Sequence, residues 1–480
     1  MMTIIATTSQ GTQTKLSDDA LERFRGQLRG PVLTAADPGH EAVREVFNTM
    51  YAGGRPALTV LCAGTADVID AVNFAREQDL LVAVRGGGHS VAGLSVVDGG
   101  MLIDLSPMRG VQVDPQRRLA HVQGGALWGD LDRETQAFGL ATPGGVNSET
   151  GVAGLTLGGG YGWIRRKHGL SCDNLVEAQV VCADGQARRA SAGNNPDLYW
   201  AIRGGGGNFG IVTSFTFRLH PLGPIVPFAA VFYPVETAAD ILRGWRDYAV
   251  QAPDEVTSVA LTVTFPADPR IPAEIHNRPC TIVAAVYAGD VDEGMKTLQP
   301  LRELSTSLAD MSQPMPYTAV QAGFDHFFPR NQLRAYWKSE YLSELSDAAI
   351  EVIAAKALDR PSPLTLVAAL HMGGAINRVG PQDTAFAERS APFLVTTDAY
   401  WTDPARDSDM IAWVRSAWDD IRGFGTGGIY LNFTALADEA TNAGIESAFG
   451  QNLRRLAEIK ATYDPDNFFR LNNNIVPAHP

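Results

Sequence analysis

At 480 residues, with 45% hydrophobic and 19% charged side chains, the chain is long enough for two or three domains with large buried cores. Its 53 acidic and 39 basic residues give a formal charge of −14, which repels nucleic acid and anionic membrane surfaces, and no Lys/Arg cluster reverses that sign locally. Cys62, Cys172, Cys182 and Cys280 are scattered without a CxxC pair, no apolar run reaches the roughly 18 residues of a membrane span, and the N-terminus lacks a signal-peptide pattern. A cytoplasmic protein without structural zinc, disulfides or a membrane anchor is therefore expected.

In chain order, Ala57–Leu61 reads as a strand. Thr65 reads as the cap of a helix whose Val68, Ile69, Val72 and Ala75 share one face, and Leu81–Val84 as a second, buried strand. This β-α-β unit delivers Arg85-Gly86-Gly87-Gly88-His89-Ser90 to the carboxyl end of a buried strand, where α/β folds usually hold ligands. Residues 101–123 predict strands about the turn Asp114-Pro115-Gln116, and 126–138 an amphipathic helix. A second glycine-dense region, Pro143 to Gly162, ends in GLTLGGGYG. Leu175–Cys182 and 187–190 predict a hairpin around Ala183-Asp184-Gly185. Asn195 is placed to cap a helix that runs to Arg203 with Pro196 at its first position. A third glycine run, Gly204 to Gly210, feeds a strand at Ile211–Leu219. His220-Pro221-Leu222-Gly223-Pro224 then punctuates the chain. Beyond it, strands such as 281–287, 364–370 and 428–433 alternate with helices near 237–249, 292–305 and 407–422. The expected class is α+β, with helices on one face of an antiparallel sheet. The tail carries a helix and then YDPDNFFRLNNNIVP, an extended return. Residues 1–224 with 436–480 are expected to form one domain and 225–435 the other.

Several motifs resolve into bland readings. Gly205-Gly206-Gly207-Asn208-Phe209-Gly210 satisfies GxGxxG, but it follows a helix and opens a strand, the reverse of the dinucleotide fingerprint. Gly88-His89-Ser90-Val91-Ala92 misses the hydrolase elbow GxSxG by one residue. His168 and His371 lack metal-spaced partners and read as structural. Asn432-Phe433-Thr434 fits the glycosylation pattern, yet a pocket-facing residue of a cytoplasmic protein stays unmodified. RGGGHS is more informative: Gly86, Gly87 and Gly88 leave N–H groups free to form an anion-binding nest suited to a diphosphate, with Arg85 offering charge. From the loop alone His89 is open to reading as a ligand, a base or a hydrogen-bonded surface residue.

The order RGGGHS, GLTLGGGYG, RKHGLSCDN, GGGGNFGIVTSF and YDPDNFFRLNNNI resembles the berberine-bridge-enzyme-like branch of the vanillyl-alcohol-oxidase flavoproteins. The likeness is strong over about 55–220, clear over 365–480 and weaker over 225–360. It implies a PCMH-type FAD-binding domain joined to a substrate domain. His89 matches the histidine that joins the flavin covalently, and Arg85, Gly86, Gly87, Gly88 and Ser90 match the loop around the FAD diphosphate. Gly151, Gly154, Gly158, Gly159 and Gly160 match backbone along the flavin. Ile211 matches a position near the adenine, and Asn472 and Asn474 belong to the stretch returning to the isoalloxazine. Relatives with two covalent links carry a cysteine where this chain has Asn147, so attachment through His89 only is expected.

Flavin oxidation of a C–H bond next to O–H or N–H needs a proton acceptor. Tyr430 and Asn432 match the family's YxN element; on a strand, residues two apart share a face and reach one pocket. Tyr161 matches a second position beside the flavin. A phenol titrates near 10, so either tyrosine needs its pKa lowered, and Lys338 is placed to do this. Thr150 matches the position that gates oxygen and is small, which favours an oxidase using O2 and making hydrogen peroxide. The expected partners are thus a small-molecule substrate and O2. The rivals are a dehydrogenase with another acceptor and a flavin-holding protein without redox turnover. The substrate itself, an alcohol, a sugar or an amine, is not legible.

Overall fold

A computed structural model of the chain describes residues 4–435 and 442–478. Leu58–Leu61, the helix Thr65–Glu77 and Val82–Arg85 form the expected β-α-β unit, and Met101–Asp104 lies between the two strands, parallel to both. Thr65 is the first helical residue, not the cap. Gly64 holds the cap position, and the Thr65 hydroxyl donates instead to Gln179 at 2.8 Å.

A five-stranded antiparallel sheet follows, in the order Ala187–Ser191, Leu175–Val181, Ile211–Arg218, Leu119–Gln123, Val111–Asp114. The GxGxxG run does sit between the helix Pro196–Ala201 and the strand Ile211–Arg218, in the non-dinucleotide order. Asn195 occupies the cap position of that helix in a left-handed conformation, φ 45°, and makes no capping bond. Its amide donates to the Arg189 carbonyl, and the helix stops at Ala201 rather than Arg203. The two sheets share a core in which Val60, Val68 and Ile103 meet Val181, Ile211 and Phe469.

Every strand of the eight-stranded sheet comes from 225–401. Its long strands alternate strictly. Val231, Val283, Ala285, Ala369 and Val395 face the helices Ala238–Gln251, Val291–Arg302, Asp347–Leu358 and Asp407–Arg422. Phe232, Leu261, Ile282, Ala284 and Leu370 face the remainder of the molecule. Helices on one face are thus what the sequence pattern expected, and both faces are buried because the second face covers the functional cavity. The expected strand at 428–433 is absent. Gly427 takes φ 82°, its N–H donates to Glu340 at 3.0 Å, and the chain then makes a single 3-10 turn at Leu431–Phe433. The expected domain return at 436 lies outside the described residues. The tail helix Leu453–Tyr463 packs Leu456, Ile459 and Tyr463 into the core of the five-stranded sheet. No described helix is long and apolar enough to cross a membrane.

Asp132, from the helix Trp128–Gln136, accepts a 2.9 Å bond from Gln321 of the short helix Tyr317–Gln321. Burial pushes its carboxyl up to about 7, against the Gln321 bond, which lowers it. The native protein therefore keeps a proton that the unfolded chain has already released near pH 4, and stability falls as pH rises from there to about 7. An Asp132→Asn variant should gain on the wild type between pH 5 and pH 8 by on the order of 2 kcal/mol. Denaturant midpoints at the two pH values measure this; an equal difference at both would contradict it.

Candidate active site

One cavity of about 420 Å³ runs between the two halves of the molecule. Its walls include Gly86, Gly87, Gly88, His89, Ser90, Thr150, Gly151, Gly154, Gly158, Ile211 and Asn472 from the cofactor set, and Tyr161, Tyr430 and Asn432 from the catalytic set. Gly87 and Gly151 are pressed together: a Cβ on Gly87 would fall 2.4 Å from the Gly151 Cα. The Gly88 φ of 67° lets the loop turn so that His89 enters the cavity. Its imidazole stacks on Phe47, centroids 3.9 Å apart, and Nε2 is buried with no hydrogen-bond partner. Burial, with the nearby Arg330 guanidinium, holds its pKa down to about 4, which favours the neutral ring at physiological pH. Buried partnerless atoms on the same walls, Ser95 Oγ and Asn472 Oδ1 among them, mark a surface built to meet a polar ligand. The glycine cradle and the partnerless polar atoms, His89 Nε2 among them, together fit FAD.

Four expected ligands stand elsewhere. Arg85 turns away from the cavity into a buried ion pair with Asp104, its register neighbour on the adjacent parallel strand, so its charge is neutralised. Gly159 and Gly160, at φ 112° and 93°, lie behind the wall, tight against Phe386 and against Ser171 and Leu155. Gly160 still serves the site, because its N–H donates to Tyr430. Asn474 is off the wall, and its neighbour Asn473 takes its place there.

Tyr430 and Asn432 meet, although by a turn rather than a strand. The 3-10 turn brings Asn432 Nδ2 to 2.8 Å from Tyr430 Oη, and the Gly160 N–H reaches the same oxygen at 3.2 Å. Burial raises the Tyr430 phenol above its ordinary pKa, and these two donors work against that rise. The Tyr161 ring lies tilted against that of Tyr430, centroids 4.1 Å apart, but its hydroxyl is engaged by Tyr341, and burial raises its pKa. Lys338 is not at the site. On the strand Arg334–Leu342, Trp337 and Tyr341 point to the cavity side, which sends Lys338 to the opposite face, its ammonium 4.5 Å from the ring centre of Trp418.

Three features were missed in the sequence. Arg330 is the cation beside the glycine loop, its guanidinium 2.5 Å from where a Cβ on Gly88 would sit. Asn208 and Lys460 clasp the C-terminal return: Asn208 donates to the carbonyls of Gly205 and Asn473 and accepts from Ile475 N–H, while Lys460 donates to the carbonyls of Asn208 and Phe469. Asp398 is a carboxyl on the cavity wall within the strand Phe393–Trp401. Period-2 alternation could have placed Asp398 on one face with Thr396 and Tyr400, but not chosen which face was lined. His168 stacks on His220 at 3.8 Å and His371 lies edge-on to Trp245, both in packing positions.

Comparison with known proteins agrees with this geometry. Residues 56–191 match the FAD binding domain family, and 430–476 the berberine and berberine-like family. An uncharacterised FAD-linked oxidoreductase of Bacillus subtilis, YgaK, is 30% identical over 457 residues, covering 94% of this chain and 98% of its own. (R)-6-hydroxynicotine oxidase of Paenarthrobacter nicotinovorans is 28% identical, covering 94% and 97%. The crystal structure of 6-hydroxy-D-nicotine oxidase from Arthrobacter nicotinovorans superposes with a TM-score of 0.83 at 27% identity, covering 94% of this chain and 98% of that one. With both halves of the site matched and the fold shared along nearly its whole length, the chain belongs to the berberine-bridge-enzyme-like FAD-linked oxidoreductases.

Proposed function

We propose that this oxidoreductase is an oxidase that holds FAD by one covalent bond, to His89, and oxidises a small organic substrate at a C–H bond next to O–H or N–H. The observation that carries the proposal is the cavity that joins the buried, partnerless Nε2 of His89 to the Tyr430 side chain. Bound FAD supplies the hydride acceptor and the route for electrons to O2. The chain's own residues do the rest. His89 fixes the cofactor, and the Gly87–Gly151 contact shapes the cradle. Tyr430 accepts the substrate proton in its ionised form, which the Gly160 and Asn432 donors stabilise. The eight-stranded sheet walls the cavity on the far side with apolar residues such as Leu261, Leu366 and Leu370. Asn147, on the cavity wall where two-link relatives carry cysteine, supports a single bond.

Oxygen consumption and hydrogen peroxide formed per substrate oxidised in air test the oxidase reading. One peroxide per turnover is expected; flavin that stays reduced in air until a quinone is added would make the enzyme a dehydrogenase. A flavin that no alcohol, sugar or amine bleaches under nitrogen would remove the redox reading altogether.

A further inference from the structure

The buried arginines and lysines among the described residues are Arg85, Arg165, Arg166, Arg389 and Lys460. Four of them face a carboxylate: Arg85 meets Asp104, Arg166 meets Asp254, Arg389 meets Asp173 and Lys460 meets Asp464. Arg165 meets none among the described residues, and of the five it alone lines the cavity. It is 1% exposed, and backbone alone holds its guanidinium. Nε donates to the His371 carbonyl at 3.0 Å, Nη1 to that of Gly162 at 3.0 Å and Nη2 to that of Ser258 at 3.4 Å. These carbonyls occupy only part of the donor fork and carry no charge that would neutralise it. Asp398, the carboxyl on the cavity wall, pairs in register with Leu366, at the far end of the strand from His371 and roughly 16 Å away along it. Burial accordingly pulls the Arg165 pKa down to about 9. A buried charge without a partner is costly until a counter-charge arrives.

The surroundings of Arg165 state what kind of counter-charge fits. Ser258 and His371 are the chain neighbours of Val259 and Leu370, which pair across adjacent strands and line the cavity. Trp163, on the same short segment as Arg165, lines it too, and its indole Nε1 is buried with no hydrogen-bond partner. A guanidinium and an indole N–H are both donors without acceptor capacity, so together they suit an acceptor that carries negative charge. The rest of this wall, Val146, Val259 and Leu261, is apolar and suits a hydrocarbon or aryl body. Tyr430 is close by. Its hydroxyl accepts from the Gly160 N–H, and the Gly162 carbonyl holds Arg165, the two glycines being less than about 8 Å apart between Cα atoms. One small molecule can therefore reach both.

We propose that the substrate is a small organic acid with an apolar body, its carboxylate received by Arg165 and the Trp163 indole N–H while the C–H bond to be oxidised lies at Tyr430. This rests on the reading of the cavity as the substrate site, and it deepens that reading by naming a substrate class. Arg165 and Trp163 act in recognition, and Tyr430 remains the proton acceptor.

Calorimetric binding to the flavin-loaded enzyme under nitrogen tests the anchor apart from turnover. The probes are benzoate, phenylacetate and hydrocinnamate, which have no C–H bond beside O–H or N–H to oxidise, each compared with its neutral methyl ester. At least one acid should bind about tenfold or more tightly than its ester. Arg165→Met should erase that preference, and Arg165→Lys, which keeps the charge, should retain part of it. Trp163→Phe keeps an aromatic ring but deletes the indole N–H, and should weaken acid binding about fivefold with ester binding close to wild type. Where Arg165→Met fails to hold flavin, Trp163→Phe and the wild-type comparison decide. Equal affinity for acids and esters in the wild type, no measurable binding by any acid, a preference that survives in Arg165→Met, or acid binding unaltered in Trp163→Phe would each overturn the proposal. Acids held through Arg165 by an enzyme whose flavin no mandelate, phenyllactate, alcohol, sugar or amine bleaches would leave the anchor standing and remove the redox function. Bleaching by an alcohol while acids bind no better than their esters would do the reverse, so the two failures are distinguishable.

Discussion

A Tyr430→Phe enzyme is expected to reduce its flavin about 10²–10⁴-fold more slowly than wild type under nitrogen, the range for losing a general base. The phenol oxygen is where two donors converge, Gly160 N–H and Asn432 Nδ2, and deleting it removes the group they hold. The ring stays, with its contacts to Tyr161 and Phe433, so FAD content and melting temperature should stay close to wild type. Because burial raises the phenol, little of it is ionised near neutral pH, and the wild-type rate should climb as pH rises. The variant should lose that climb. Reoxidation by O2 should be unaffected. Tyr161→Phe is the control, since its hydroxyl is taken by Tyr341. Stopped-flow reduction rates decide: a Tyr430→Phe enzyme within a few-fold of wild type beside a crippled Tyr161→Phe enzyme would transfer the role to Tyr161.

His89→Ala should turn covalent flavin retention from complete to none. Acid-precipitated wild type should keep its yellow colour in the pellet, and the variant should release all flavin to the supernatant. No cysteine substitutes for the lost imidazole. Cys172 is buried off the cavity wall, and burial raises its thiol. Cys172→Ala should therefore retain the flavin as wild type does. Absorbance of the two fractions reads the result, and flavin remaining in the His89→Ala pellet would contradict it.

The glycine-rich loops were legible because their constraint is local. Gly88 needs a positive φ and Gly87 has no room for a Cβ, whatever the rest of the chain does. The helices over the eight-stranded sheet were legible for a related reason: their apolar faces and the alternation of the strands are written in sequence period. What escaped was the direction of single side chains. Arg85 looked free beside a glycine nest, yet its strand pairs in parallel with one that sets Asp104 opposite it. Lys338 follows Trp337 on a strand with both faces buried, and only the packing of Asp407–Arg422 reveals which face is cavity. Tyr430 and Asn432 were paired correctly on an incorrect element, because both an extended strand and this 3-10 turn bring their polar ends together. Asp398 went unnoticed because it carries no motif; its place on the cavity wall is a property of the fold.

The proposed attachment of one flavin, through His89, can be read from the protein itself. Mass spectrometry of proteolytic peptides from the purified flavin-loaded chain tests it most directly. A single flavinylated peptide is expected, the one containing His89, with the Asn147 peptide and all four cysteine peptides unmodified. A flavin on any other residue, or none on the His89 peptide, would contradict it.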